Sequence, residues 1–188
     1  MRRSVTGYHS TVRREQLNIG NRSVSYLVAS GDSDLAAKPA GVRQHPYSTV
    51  LFLHAFPLDA GMWQSQLEAT PPGWRMLAPD YRGFGQSSPS PPIATTMNDL
   101  AGDAIDLLDR LEVSEAVVVG CSMGGYVAFE MLASAPNYLK GLMLVDTRAT
   151  PDTPEGRTAR QASPSNRRSQ WPQCLPPGAG DPDVGPPP

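Results

Sequence analysis

The 188-residue sequence has few cysteines, little net charge and no long apolar run. Its two cysteines, Cys121 and Cys174, do not suggest a disulfide framework, and a reducing compartment fits them. No apolar run approaches the roughly 20 residues that cross a bilayer. The formal net charge of −2 gives no reason to expect a nucleic-acid partner. These features predict a soluble, cytoplasmic protein.

The amino terminus, residues 1–15, lacks the apolar segment of a secretory signal. It carries a small basic cluster of Arg2, Arg3, Arg13 and Arg14, and no interleaved aromatic pattern or recognition motif joins them. A cluster of this kind is typical of a solvated arm, and we predict one here rather than a nucleic-acid site.

Strand and helix patterns alternate between residues 16 and 150, which we predict to be the folded core. A parallel sheet buried on both faces gives continuous apolar strands, and helices cross between them. We therefore predict a three-layer α/β sandwich with a mainly parallel sheet. The predicted strands are two within 16–30, joined at Gly20-Asn21, and one each at 49–56, 74–80, 115–120 and 139–146; the predicted helices are 61–70, one from Thr96, and 124–135.

The clearest helix begins at Thr96. Asp99 stands three residues later, the spacing of a capping box. One face of this helix is apolar, with residues at helical spacing: Leu100, Ala104, Leu107, Leu108 and Leu111.

The composition changes from residue 151 onward. Residues 151–188 have no apolar periodicity and are rich in proline, glycine, serine and arginine. Such composition predicts a disordered tail.

One serine stands between an apolar strand and an apolar helix, in Gly120-Cys121-Ser122-Met123-Gly124. The sequence G-x-S-x-G at a strand-to-helix turn forces the serine into a strained conformation and exposes its hydroxyl at the carboxyl end of the sheet. The free N–H groups at the helix start favour a developing oxyanion. This context predicts that Ser122 is a nucleophile in acyl transfer.

Four separated segments, in this order along the chain, resemble those of the α/β-hydrolase family. The resemblance covers roughly residues 16–160 and is greatest to bacterial esterases and enol-lactonase-like hydrolases. The segments are LFLHAFPLDAGMW, Asp80 through Ser87 (D-x-R-G-x-G-x-S), GCSMGG and LMLVDTRA.

The resemblance assigns roles to individual residues. Ser122 would be the nucleophile, and the backbone N–H groups of Met123 and Phe56 would be the substrate-binding oxyanion donors. His54 would order the oxyanion loop rather than act as a base. Asp80 and Arg82 would be structural residues that close a turn and pin the loop.

The resemblance also implies a chemistry. Epoxide hydrolases and haloalkane dehalogenases of this fold use aspartate at the elbow, so Ser122 indicates hydrolysis of a small-molecule ester, lactone or related acyl bond. No metal or organic cofactor is implied. The cap that shapes the pocket in this family would begin within 151–188, so the substrate cannot be inferred, and the oligomeric state stays open.

The catalytic base is missing from the sequence pattern. In this family the acid and the histidine follow the serine, but the three histidines, His9, His45 and His54, all precede Ser122. Asp146 is a weak candidate for the acid, since a turn-capping role is the more usual one for that position. A serine hydroxyl without a base is a poor nucleophile, so we expect impaired activity.

Three hypotheses account for this pattern. The first and preferred one is a truncated or frame-shifted hydrolase, with family sequence to about residue 161. The second is a non-catalytic protein that binds a small acyl ligand, or a partner through an exposed sheet edge. The third is a base donated in trans by another chain.

Overall fold

The computed structural model describes residues 9–31, 48–89, 95–150, 153–155 and 158. The strands are β1 (Arg13–Ile19), β2 (Arg22–Ser30), β3 (Ser48–Leu53), β4 (Trp74–Pro79), β5 (Ala116–Cys121) and β6 (Leu139–Val145). The α-helices are α1 (Gln64–Glu68), α2 (Met97–Arg110) and α3 (Met123–Ser134), with 3-10 turns at Ala60–Trp63 and Pro136–Tyr138. Within these residues no helix is long and apolar enough to cross a membrane.

The six strands form one sheet in the order β1-β2-β4-β3-β5-β6. β4, β3, β5 and β6 run parallel to one another, whereas β1 pairs with β2, and β2 with β4, in antiparallel register. The predicted α/β class and mainly parallel sheet are therefore confirmed. In the described part of the chain the sheet ends at β6.

Side chains alternate along the strands, so both faces of the sheet present apolar residues to the helices that cover them. Leu51 and Leu53 of β3 belong to the core beneath α2 and α3. Phe52, between them, belongs to the opposite core, where it packs on Trp63 with ring centroids 4.9 Å apart. These two cores separate the three layers of the sandwich.

The predicted start and apolar face of α2 are confirmed. Thr96 and Asp99 form a reciprocal capping box: the Asp99 N–H donates to Thr96 Oγ1 (3.2 Å), and the Thr96 N–H donates to Asp99 Oδ2 (2.8 Å). Of the predicted apolar face, Leu111 is partly buried and the others are fully buried: Leu100, Ala104, Leu107 and Leu108.

The predicted solvated arm needs correction at Arg14. β1 begins at Arg13, and the Arg14 guanidinium forms an ion pair with the buried Asp80 and donates to Ser25 Oγ at 2.7 Å. An ionised carboxylate inside the protein requires a charged or polar partner, and Arg14 is one. Arg2 and Arg3 lie outside the described residues.

The predicted tail lies outside the described residues except for 153–155 and 158, so its disorder stays a prediction. The predicted helix 61–70 is a 3-10 turn followed by the short α1. A further difference is at the end of β3, which stops at Leu53 rather than continuing to Phe56. There the chain leaves the sheet to form the loop that precedes α1.

Candidate active site

The loop after β3, the turn after β5 and the end of β6 meet at one edge of the sheet. Leu53 pairs with Gly120, and Cys121 pairs with Val145, in parallel register. The carboxyl ends of parallel strands form the edge at which open α/β sheets bind ligands.

Ser122 occupies the turn between β5 and α3 with φ 49° and ψ −110°. This conformation is strained for a residue with a side chain and persists only where the surroundings fix it. The Ser122 N–H donates to the Val145 carbonyl (3.0 Å), and the Ser122 carbonyl accepts from the Gly125 N–H (3.0 Å) and Thr147 Oγ1 (2.9 Å). The sharp turn predicted from the sequence is therefore present.

Two glycines of the motif allow backbone segments to approach each other around Ser122. A Cβ on Gly124 would lie 2.2 Å from the Leu53 carbonyl oxygen, and one on Gly120 would lie 2.5 Å from the Gly124 carbonyl oxygen. Contacts this short with backbone atoms exclude a side chain at both positions. The start of α3 thus packs directly against the end of β3.

His54 is fully buried at the end of β3. The Tyr81 N–H donates to His54 Nε2 (3.2 Å), so the proton of the neutral ring is on Nδ1, which donates to the Ala55 carbonyl (3.0 Å). Burial lowers the pKa of His54 and favours this neutral form. Both ring nitrogens therefore hold backbone in place.

The loop after His54 carries Phe56, whose side chain is 37% exposed. The Ala55 N–H donates to the sulfur of Met62 (3.3 Å), and the Leu58 N–H to the Ala55 carbonyl (2.9 Å). The Phe56 ring lies edge-on to that of Phe84, with centroids 6.0 Å apart. An apolar wall therefore flanks the loop.

The carboxylate of Asp80 holds three segments together. It accepts from the Ala60 N–H (2.8 Å), which starts the turn before α1, and from the Gln86 N–H (3.0 Å). It also pairs with Arg14 of β1. Gly85, at φ +50°, packs so closely on this carboxylate that a Cβ would lie 2.3 Å from it. Asp80 has the contacts of a structural residue.

Arg82 extends this support to α2. Its guanidinium makes a bidentate ion pair with Asp103, with Nε donating to Oδ2 at 2.6 Å. Arg22 of β2 also pairs with Asp103 (2.8 Å). A planar, bidentate pair fixes the orientation of both side chains as well as balancing their charges, so the turn containing Arg82 is anchored to α2.

The remaining candidates lie around this edge or away from it. Asp146 directly follows β6, exposed and with φ 44°. Burial and the nearby Asp146 raise the pKa of the Cys121 thiol. His9 is exposed before β1, and His45 lies outside the described residues. Among the residues described, no three potential ligands converge on a metal site.

The family model for the alpha/beta hydrolase fold matches residues 48–170, more than half of the chain. The chain belongs to the α/β-hydrolase family. The predicted resemblance is thereby confirmed at the level of the family.

Individual relatives have different activities in their names. The chain is 35% identical over 121 residues to epoxide hydrolase 1 of Siraitia grosvenorii (61% of this chain, 38% of that protein). It is 38% identical over 79 residues to 3-oxoadipate enol-lactonase 1 of Acinetobacter baylyi (42% of this chain, 29% of that protein). A thermophilic esterase structure from Thermogutta terrifontis matches at TM-score 0.64 and 32% identity, covering 79% of this chain and 51% of the esterase.

This α/β-hydrolase chain therefore spans about half of that esterase, and less of the two curated relatives. The sequence pattern gives no sign that Thr147 lies beside Ser122, because a threonine two residues after a strand carries no distinctive signal. Only the tertiary structure brings its hydroxyl to Ser122.

Proposed function

We propose that this chain carries the nucleophile of a serine hydrolase acting on carboxylic esters, lactones or related acyl bonds, with Ser122 as the attacking residue. The observation that carries the proposal is the backbone of Ser122, φ 49°, between β5 and α3. A serine in this strained turn presents its hydroxyl at the carboxyl edge of the sheet.

Main-chain donors supply the second part of the chemistry. As Ser122 Oγ attacks an acyl carbon, the carbonyl oxygen gains negative charge, and the N–H groups of Met123 and Phe56 would donate to it. One such donor typically contributes about 3 kcal/mol in the transition state. His54 supports the Phe56 side of the site by holding the Ala55 carbonyl.

The residue at the elbow favours acyl chemistry within this family. Ser122 stands where aspartate would imply attack on an epoxide or a haloalkane. An enol-lactonase and an esterase among the similar proteins support the same choice. We therefore favour ester and lactone hydrolysis, although epoxide hydrolases are also among the relatives.

Proton transfer limits the rate that we expect from the 188-residue chain. His54 cannot accept the Ser122 proton while Tyr81 and Ala55 occupy both its nitrogens. The sequence has no histidine after Ser122. Serine enzymes that lose a triad member retain about 10³-fold acceleration from oxyanion and binding contacts, and we propose slow acylation of this kind.

Labelling with a fluorophosphonate, followed by intact-mass and peptide mass spectrometry, tests the nucleophile. We expect slow modification at Ser122 in the full chain and none there in Ser122→Ala. Ser134→Ala is the matched control, because Ser134 is an exposed serine of α3 whose hydroxyl donates to the Glu130 carbonyl one helical turn earlier, at 2.7 Å. That variant should label at the wild-type rate.

Two results would contradict the proposal. A failure to modify Ser122 after prolonged exposure of folded protein would exclude it as the nucleophile. Labelling as fast as that of a complete serine hydrolase would instead disprove the expected impairment, and would mean that a base reaches Ser122 from elsewhere.

A second candidate function is partner binding at the β6 edge. The observation that favours it is the exposure of four consecutive apolar residues, Leu142 to Val145, at 36–57%. An apolar strand at a sheet edge offers backbone and side chains for pairing with another chain. This function would require no catalytic base.

A further inference from the structure

We propose that Thr147 is a positioning residue for the oxyanion donor, because its hydroxyl fixes the peptide group that joins Ser122 to Met123. The inference rests on the proposed acyl chemistry for its functional meaning. The contact on which it depends is structural: Thr147 Oγ1 donates to the Ser122 carbonyl oxygen at 2.9 Å.

Backbone contacts already hold both sides of Ser122. Its N–H donates to the Val145 carbonyl, and its carbonyl accepts from the Gly125 N–H, both at 3.0 Å. A carbonyl oxygen has two lone pairs, and Thr147 supplies the second donor. The Thr147 hydroxyl is the side-chain group in this set, so it can be removed without changing the backbone.

Thr147 is itself held against the elbow. A Cβ on Gly125 would lie 2.5 Å from both Thr147 Oγ1 and Cγ2. The threonine side chain therefore occupies the space that the glycine leaves, and its rotation is restricted. A preorganised donor loses little entropy when it forms its bond.

The geometry of the peptide bond transmits this contact to Met123. The peptide unit is planar, and in its trans form the carbonyl and the following N–H point in opposite directions. Fixing the Ser122 carbonyl toward Thr147 therefore directs the Met123 N–H away from it. A donor fixed in advance needs no reorganisation when negative charge develops on the substrate oxygen.

Thr147→Val and Thr147→Ser separate this role from packing. Valine keeps the shape and removes the donor, whereas serine keeps the donor and removes the methyl group. Thr96→Val is the matched control, because it removes a threonine hydroxyl that bonds to Asp99 in the α2 capping box and not to Ser122. Thermal unfolding of all three variants reports their stability.

The first measurement is the NMR chemical shift of the Ser122 carbonyl carbon and the Met123 amide in the full chain. We expect both resonances to move in Thr147→Val and to stay near their wild-type positions in Thr147→Ser and Thr96→Val. Unchanged resonances in Thr147→Val would overturn the proposal. This measurement does not depend on any catalytic activity.

The second measurement is fluorophosphonate labelling of Ser122, resolved into the maximal rate and the half-saturating concentration. We expect Thr147→Val to lower the maximal rate about tenfold, since lost hydrogen bonds and misaligned donors have effects of this order. The half-saturating concentration should stay unchanged, and Thr147→Ser should restore the rate.

The outcomes of the two measurements are distinguishable. If wild-type Ser122 is never labelled, the proposed function fails, while the resonances still decide whether Thr147 orients the peptide. If Thr147→Val labels at the wild-type rate, or if Thr96→Val at equal stability slows labelling as much, Thr147 is not a positioning residue.

Discussion

β3 and β6 are both short apolar strands, yet one is buried and the other is not. Five of the six residues of β3 are buried, whereas Leu142 to Val145 of β6 remain 36–57% exposed. β3 lies between β4 and β5, and β6 pairs with β5 at the end of the described sheet. Apolar sequence therefore specifies a strand, whereas position in the sheet specifies the burial of that strand.

The difference extends to function. The residues that follow the interior strands β3 and β4 make contacts that fix the site, among them those of His54 and Asp80. The carboxyl end of β6 also contributes, because Val145 and Thr147 bond to Ser122. The carboxyl end of β6 is therefore held at the elbow by hydrogen bonds, whereas the apolar side chains of β6 are exposed to solvent.

Truncating a side chain of β3 should lower the free energy of unfolding far more than truncating one of β6. Leu51→Ala should lower the free energy of unfolding by about 2–5 kcal/mol, because it leaves a cavity in the core. Met143→Ala should change it by less than about 0.5 kcal/mol, because Met143 is 57% exposed. Urea unfolding measures both, and similar costs would show that β6 is covered in solution.

A pair of glycine substitutions compares the elbow with the edge. Gly124→Ala should destabilise by about 2–3 kcal/mol, since its Cβ would meet the Leu53 carbonyl oxygen at 2.2 Å. Gly141→Ala in β6 should be tolerated, because the nearest atom to its Cβ is a Val117 methyl at 3.7 Å. Thermal unfolding measures both variants. Tolerance of Gly124→Ala would contradict the close packing of α3 on β3.

The pH dependence of stability tests the burial of His54, which follows the interior strand β3. Its folded pKa is lowered, so the unfolded chain binds a proton more readily, and stability falls as the pH drops below about 6.5. The loss contributed by this residue is at most about 1.4 kcal/mol per pH unit. Urea unfolding between about pH 7.5 and about pH 5.5 measures this loss.

Two variants isolate the contribution of that histidine. His54→Gln should flatten the pH dependence while lowering stability at every pH. His9→Gln, at an exposed histidine, should leave the wild-type slope intact. If His54→Gln keeps the full slope, another group is responsible for the acid sensitivity.

A charge placed on the exposed strand β6 should have the smallest effect on stability. Met143→Lys should change the free energy of unfolding by less than about 0.5 kcal/mol. If β6 pairs with a second copy of the chain, Met143→Lys should also weaken that association, because lysine on an edge strand opposes pairing. Leu132→Lys, at an exposed leucine of α3, should leave the association unchanged. Sedimentation velocity over a concentration series measures this, and equal behaviour of both variants would argue against binding through β6.

Much of the fold was predictable because its signals are local. The capping box of Thr96 and Asp99 and the turn at Ser122 both depend on residues only a few positions apart. The pairing of Arg14 with Asp80 was not predictable, because 66 positions separate the two residues. Nothing near Arg14 distinguishes it from the neighbouring arginines of the same cluster.

The alternation of strands and helices and the glycine-flanked turn at Ser122 are properties of the local sequence, because each depends on short-range periodicity or steric demand. Tertiary packing sets the exposure of β6, the two hydrogen bonds of His54 and the contact of Thr147 with Ser122. These depend on strand order and register, which bring together residues far apart in the chain.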